Sequence, residues 1–306
     1  MYQYLLRRLM LLIPVLVGVT LAVFLLMHLA PGDPALLIAG QNAPPEVYER
    51  IRQSLGLDRP LYEQYAMFLG RVARGDLGRS ILLHKRVADL IAAALSVTLG
   101  LALGGMGLAY LIGVPVGIVS AVKTYSVVDQ ASMVGALIFV SVPPFWLGLI
   151  LMYVFGLCLG WFPISGHGSL AHDVLPALTL GLGGAALVAR MTRSAMLEVV
   201  RQDFVRTARA KGLSEQVVIY KHALRNAVIP IISLLGLRLG WTVGGAVTLE
   251  MVFSRPGMGR LLVNSILARD YPVVQGVLLV LGLAVMLGNL LADVFYAVAD
   301  PRIKYR

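Results

Sequence analysis

The chain has 306 residues, 58% of them hydrophobic and only 14% charged, and its mean hydropathy is +0.81. Soluble domains carry about 25% charged residues, so the composition excludes an ordinary soluble domain and places the chain in the membrane class. The net charge of +10 fits loops enriched in Lys and Arg on the cytoplasmic side rather than a nucleic-acid surface, and one cysteine, Cys158, excludes an internal disulfide.

A helix needs roughly 20 apolar residues to cross the ~30 Å hydrocarbon core. The first run that long is 9–29. Arg7 and Arg8 precede it as in a signal peptide, but it is too long for a signal core and no small-x-small cleavage site follows. It reads as a retained span with its N-terminus in the cytoplasm. Further spans are expected at 96–122, 129–159, 174–196, 226–252 and 272–298, with Pro143-Pro144 breaking or kinking the third. Six spans put both termini on one side. Lys123, the group from Arg190 to Arg225, and the tail residues Arg302, Lys304 and Arg306 then fall inside.

Segment 31–95 is also basic, but long segments translocate largely regardless of charge, so it is placed outside. Within it, "PGDP" is a turn whose Asp33 can cap a short helix from Pro34. Two amphipathic helices follow, one on Val47, Ile51 and Leu55, the other on Leu61, Tyr65, Phe68, Leu69 and Val72. Each is too small for its own core, so they are expected to cap the outer mouth by packing on each other, a partner or the membrane.

Signals of catalysis are missing from the sequence. It contains no G-x-x-x-x-G-K-[ST] and no G-x-S-x-G. "GLGGAALVA" from Gly181 resembles half a dinucleotide fingerprint, but it lies in an apolar span, where small residues serve close helix packing. His28, His84, His167, His172 and His222 lack metal-ligand spacing; His167, His172 and Asp173 share a loop that is expected to be solvated. An intramembrane enzyme acting on lipid-linked substrates would have to use Arg238, Glu250, Asp293 and His28. Glu250 and Asp293 are expected near opposite ends of antiparallel spans. An ion-driven transporter would show inverted repeats and midplane acids, and neither is visible.

Two stretches stand out. "VVRQDFVRTARAKG" is helix-compatible up to Gly212, a stop or sharp bend, and Ser214 can cap a second helix, "EQVVIYKHALRNA". The small residues Thr207, Ala208 and Ala210 allow close approach of another surface, with Arg206, Arg209 and Lys211 around it. A loop that only set topology would need neither bend nor small residues. In the fifth span, Arg238 lies about 12 Å beyond Pro230 at ~1.5 Å per residue, near mid-depth. A charge there costs at least ~2.5 kcal/mol if it faces lipid, so it should face protein or water. It either pairs with a carboxylate of another subunit, snorkels inward, or lines the path and attracts a substrate carboxylate. In "SRPGMGRLL", Pro256, Gly257 and Gly259 favour a turn, and a surface or re-entrant helix begins at Leu261 and Leu262.

The stretch "DFVRTARAKG" resembles the loop by which membrane subunits of ABC importers couple to their ATPases, in the dipeptide, oligopeptide, nickel and glutathione permease branch. Arg206-Thr207-Ala208 stands where the general motif has Glu-Ala-Ala, followed by Gly212; His222-Ala-Leu-Arg225 stands where it has Ile-x-Leu-Pro. The resemblance extends to "PGDP", "GDLGRS" at Gly75, "GGAVTLEMVFSRPGMGRLL" at Gly244, "RDYPVVQG" at Arg269 and the terminal "ADPRIKYR". It implies an all-α integral membrane fold of type I importer permeases: a first helix at 1–30, an extracytoplasmic segment at 31–95, and a five-helix core at 96–306 with its cytoplasmic coupling loop at 197–225. By the same resemblance Asp203, Phe204, Arg206, Thr207, Ala208, Ala210, Lys211, Gly212, Leu213 and Ser214 meet an ATPase subunit. Pro143, Phe145, Arg238, Thr242, Glu250, Pro256, Gly257 and Met258 are expected at the solute path or its gate. The implied assembly has a second homologous permease, two ATPases holding ATP and Mg, and an extracytoplasmic binding protein, in the bacterial inner membrane. This chain itself would hold no cofactor. Peptides lead as solute, with nickel complexes the alternative.

Overall fold

Long apolar runs with little turn chemistry fold as helices here, and a computed structural model describes residues 2–29, 34–40, 43–54 and 56–299. The turn residues Pro31 to Asp33, Leu55 and the terminal "DPRIKYR" lie outside those residues, as do the side chains of Arg7, Arg8 and Asp293. The chain begins with α1 (Tyr2–Leu29), α2 (Pro34–Ala39), α3 (Pro45–Ser54) and α4 (Leu61–Ala73). It continues with α5 (Val87–Val122), α6 (Val127–Ser141) and α7 (Pro144–Leu151), which runs on as a π-helix, Met152–Cys158. Then come α8 (Leu170–Val200), α9 (Asp203–Ala210), a second π-helix (Val217–Ala223), α10 (Leu224–Val252), α11 (Met258–Leu267) and α12 (Tyr271–Ala299). Among the described residues, α5, α8 and α12 are long and apolar enough to cross a membrane, and the bent α6–α7 pair is so only when its two arms are counted as one span; α1 and α10 have 28 and 29 residues.

The most extensive packing is between α5 and α8. Small residues allow it: a Cβ on Gly113 would sit 2.7 Å from Ala185 O, and one on Gly117 2.6 Å from Ala189 O. From the other side, a Cβ on Gly181 would meet that of Leu108 at 2.8 Å, so the "GLGG" run is a packing surface as expected. Both helices outrun their expected limits. The first turns of α5 bury Val87, Ile91 and Ala94 against Met258, Val273 and Val277, and Asp89 in its first turn complements the helix dipole.

The third expected span is broken. Val142 and Pro143 are extended, with ψ of 126° and 135°, and α6 meets the α7 segment at a bend of 106°. The residue before a proline is driven out of the helical region, and proline supplies no N–H to carry the ladder on. In the preceding segment α4 lies on α1. The Tyr65 hydroxyl is 2.9 Å from Thr20 Oγ1 and donates to Val17 O at 3.2 Å. Gln64 Oε1 meets His28 Nε2 at 3.0 Å, and Phe24 stacks among His28, Tyr65 and Phe68.

Candidate functional site

A cavity of about 690 Å3 opens among α5, the α6–α7 bend, α8, α10 and α12. Met106, Phe139, Leu147, Leu187 and Val188 make it apolar, and Gly183, Gly184 and Gly245 leave it room. Its polar groups are Tyr110, Thr179, Arg238 and Thr242. Three hydroxyls are already used on backbone: Thr179 donates to Leu175 O at 2.7 Å, Thr242 to Arg238 O at 2.7 Å, and Tyr110 to Ile231 O at 3.2 Å. The half-buried Arg238 guanidinium is left facing the space. Among the described residues no carboxylate pairs with it; the buried acids are held elsewhere.

Of the expected path residues, Arg238 and Thr242 line this cavity. Pro143 and Phe145 line a shallower hollow beside it, outside the bend, with Trp146 and Ile138. Glu250, Pro256, Gly257 and Met258 line neither. They belong to a buried knot where α10 passes into α11. There the Thr98 hydroxyl donates to Glu250 Oε1 at 2.5 Å, Gly259 N donates to Oε2 at 2.7 Å, and Met258 N donates to Thr98 Oγ1 at 2.9 Å. Glu250 thus satisfies the first turn of α11 with charge at a helix N-terminus.

The expectation that Gly257 and Gly259 serve turn geometry needs correcting. Gly257 has φ of −94°, a conformation open to any residue. What it supplies is space, since a Cβ would lie 2.2 Å from Glu250 Cδ; one on Gly259 would lie 2.6 Å from Val247 Cα. Two further nodes stand beside the knot. Arg255, 2% exposed, reaches Asp173 at 2.5 Å and donates to His172 O at 3.1 Å and towards His167 Nδ1 at 3.4 Å. The His167, His172 and Asp173 cluster is therefore not simply a solvated loop; it surrounds a buried guanidinium. Asp270, also buried, accepts from the Ser80 hydroxyl and from Ile81 N at 3.1 Å, and so joins the "GDLGRS" and "RDYPVVQG" stretches.

At the other end of α10, α9 and the π-helix form the expected helix–bend–helix. Gly212 turns the chain at φ of +77°, a left-handed position that suits glycine, and the helix resumes at residue 215, directly after Ser214. Asp203, Phe204, Arg206, Thr207, Ala210, Lys211, Gly212, Leu213 and Ser214 are exposed. Ala208 is not. It is 6% exposed and packs with Val205 on Val218, Ile219, Met196 and Ile118 of the same chain. Its small size serves the internal seat of α9, so it offers no surface to a partner.

Arg209 grips Glu215 through Nε at 3.1 Å and Nη2 at 2.7 Å, which holds the Glu215 carboxyl below its usual range. Behind the loop, Arg193 makes a two-pronged pair with Asp129, Nε–Oδ1 and Nη2–Oδ2 both 2.7 Å. The Ser120 hydroxyl and Tyr125 N, the latter at 2.9 Å, donate to the same carboxylate. The sequence counts Arg193 only among the basic residues expected inside. The signal available was one acid, Asp129, placed one turn after Tyr125 at a helix start.

Comparison with known proteins agrees with this architecture. Residues 113–305 match the family "Binding-protein-dependent transport system inner membrane component" and residues 1–102 its N-terminal component. The chain is 46% identical to the glutathione transport system permease protein GsiC of Escherichia coli O6:H1 (strain CFT073) and 45% identical to that of strain K12, each over 306 residues and the full length of both chains. In fold it is similar to the inward-facing MetNI methionine ABC transporter, with TM-score 0.58 and 21% identity over 69% of this chain and 96% of that one. It is also similar to an amino acid ABC transporter crystallised with histidines, with TM-score 0.55 and 14% identity over 68% and 94%. With family models matched along nearly all its length and several apolar helices around a largely apolar cavity, the chain belongs to the binding-protein-dependent transport system inner membrane components, as the multi-pass, non-catalytic permease subunit of an ABC importer.

Proposed function

We propose that this permease carries glutathione or a closely related short peptide and forms half of the path beside a second, homologous permease. The observation that carries the reading is the 45–46% identity to GsiC proteins along the whole of both chains. In this reading α1, α5, the bent α6–α7 pair, α8, α10 and α12 are six spans, with both termini in the cytoplasm. For the five unbroken helices the lengths support it: at ~1.5 Å per residue, 28 to 36 residues exceed a ~30 Å core. The basic residues around α9 support the sidedness. The exposed face of α9 and the Gly212 bend then dock on an ATPase subunit, and the α10–α11 corner faces the binding protein.

Energy enters through α9, whose inner face is continuous with the ends of α5 and α8. Movement of α9 by closing ATPases therefore moves α5 and α8, which wall the cavity, as rigid bodies. Each ligand biases one of the two states. A reading as an intramembrane enzyme is weakened by Glu250, whose oxygens are occupied by Thr98 and Gly259. The test is reconstitution of the complete complex in vesicles with radiolabelled glutathione. Uptake that depends on ATP and on the binding protein is expected. Uptake of nickel chelates or of unrelated dipeptides, but not of glutathione, would overturn the solute assignment.

A further inference from the structure

We propose that Arg238 binds a free carboxylate of the solute as it crosses the cavity, making this chain selective for acidic or free-acid peptides. The inference rests on the glutathione reading above and names what the path recognises.

Four observations converge on it. Arg238 lies in α10 well away from both helix ends, so its charge cannot leave the helix bundle by a short reach. The guanidinium opens onto a space of about 690 Å3, within the ~300–1,000 Å3 usual for small-molecule sites. The guanidinium reaches across to α8, where Nη1 lies 4.0 Å from the position a Cβ on Gly184 would take. The neighbouring hydroxyls of Thr179, Thr242 and Tyr110 donate to backbone carbonyls and, being uncharged, cannot neutralise it.

A cation in an apolar-walled space without a partner is unfavourable, and a planar guanidinium is matched by a two-pronged carboxylate. Among the described residues the buried acids are fixed, Asp129 on Arg193, Asp270 on Ser80 and Glu250 on Thr98, and the part-exposed Asp173 is held by Arg255. Among the described residues no acid is left to serve as its counter-ion, which points to the solute or to another subunit. Five parts of this one chain wall the cavity around Arg238, which favours an occupant that enters over a side chain that reaches in.

The test compares uptake of glutathione and of glutathione amidated at both carboxyl groups by complete complexes carrying wild-type chain, R238K or R238Q. Binding-protein affinity for each probe is measured separately, and the binding protein is kept saturated. Losing hydrogen bonds to a charged group shifts a rate by roughly tenfold to a hundredfold. R238Q should lower the ratio of free-acid to amide uptake by at least about tenfold, with R238K intermediate. Equal slowing of both probes, or complexes that no longer co-purify, would mean that Arg238 pairs with another subunit; an unchanged ratio would likewise overturn the inference. A wild-type complex that takes up no glutathione would instead overturn the solute assignment, and this inference with it.

Discussion

The two ends of α10 are built by opposite rules. At the α10–α11 corner the chain satisfies itself: Glu250, Arg255 and Asp270 are 0%, 2% and 3% exposed, and each is tied to a residue distant in sequence. At the α9 end only the inner face is finished. Val205 and Ala208 are buried, whereas Phe204 and Leu213 remain 39% and 40% exposed beside Arg206 and Lys211. A finished corner transmits force without deforming; in the proposed assembly the unfinished apolar and basic face is where an ATPase subunit docks. Backbone strain gathers at the side-chain nodes, wherever along the bundle they lie. Among the described residues the non-glycine positions with positive φ are His84, Tyr125, Ser254 and Arg269, at about 1–2 kcal/mol each. Ser254 and Arg269 directly precede Arg255 and Asp270, Tyr125 gives its N–H to Asp129, and His84 N bonds Ser80 O in the loop that Asp270 holds.

The strongest way to break the contrast is at the finished end. Glu250→Ala orphans the Gly259 N–H, leaves the Thr98 hydroxyl only its longer bond to Ala94 O, and opens a cavity, for a loss of about 3–5 kcal/mol. Gly257→Ala acts on the same knot from the other side, because its Cβ would collide with the carboxylate. Both should lower the melting temperature of the detergent-solubilised complex more than any substitution on the exposed face of α9. A Glu250→Ala complex that melts like wild type would mean the corner is not the rigid element described here.

The helices were legible in the sequence because composition and length determine them: the break at Pro143-Pro144, the bend at Gly212 and the glycine packing run were all readable from residue chemistry. The nodes were not. Thr98 and Glu250, Ser80 and Asp270, and Asp129 and Arg193 are far apart in sequence, and their meeting depends on how α5, α8, α10 and α12 stack. Gly257 shows the same difficulty. A glycine beside a proline reads as a turn, and only the Glu250 carboxylate placed against it reveals that its role is clearance. Arg238 was readable as an interior charge from its depth, because a charge far from both helix ends has no other place to go. Ala208 misled because a small residue on a helix suits an inner seat and an outer contact equally.

A smaller effect is expected at the Asp129–Arg193 pair, which ties the start of α6 to α8 close behind the unfinished face. Removing one member leaves the other charge unmatched. Asp129→Asn or Arg193→Met should each destabilise by about 1–3 kcal/mol, and the swapped pair D129R/R193D should recover part of the loss. A swap no better than the sum of the single changes would show that Ser120 and Tyr125, not the ion pair, hold this corner.

On the exposed face itself stability should hardly move. Phe204→Ala and Leu213→Ala should change stability by no more than about 0.5 kcal/mol, yet weaken ATPase co-purification and ATP-driven uptake. Gly212→Trp is a poorer probe, because φ of +77° strains any side chain, and Ala208→Asp would bury an unpaired carboxylate. Full uptake by both alanine variants would sink the docking role of this face.

The smallest effect separates the two ends by pH. Arg209 holds the Glu215 carboxyl below its usual range, so the pair adds stability above the unfolded carboxyl pKa of about 4.3 and loses it as pH falls through the lower folded value. The side chains are 39% and 55% exposed, so solvent limits the contribution to about 0.2–1 kcal/mol. Hydrogen exchange of α9 amides in the isolated membrane complex should therefore quicken slightly below about pH 4, after correction for the intrinsic rate. Glu215→Gln should show the quicker rate already at neutral pH, and added salt should narrow the difference. Amides of α11, held by the buried Glu250 knot, should not respond to the Glu215 change at all. If α11 followed α9, the two ends of α10 would be one cooperative unit, and the loop could not move on its seat without loosening the corner.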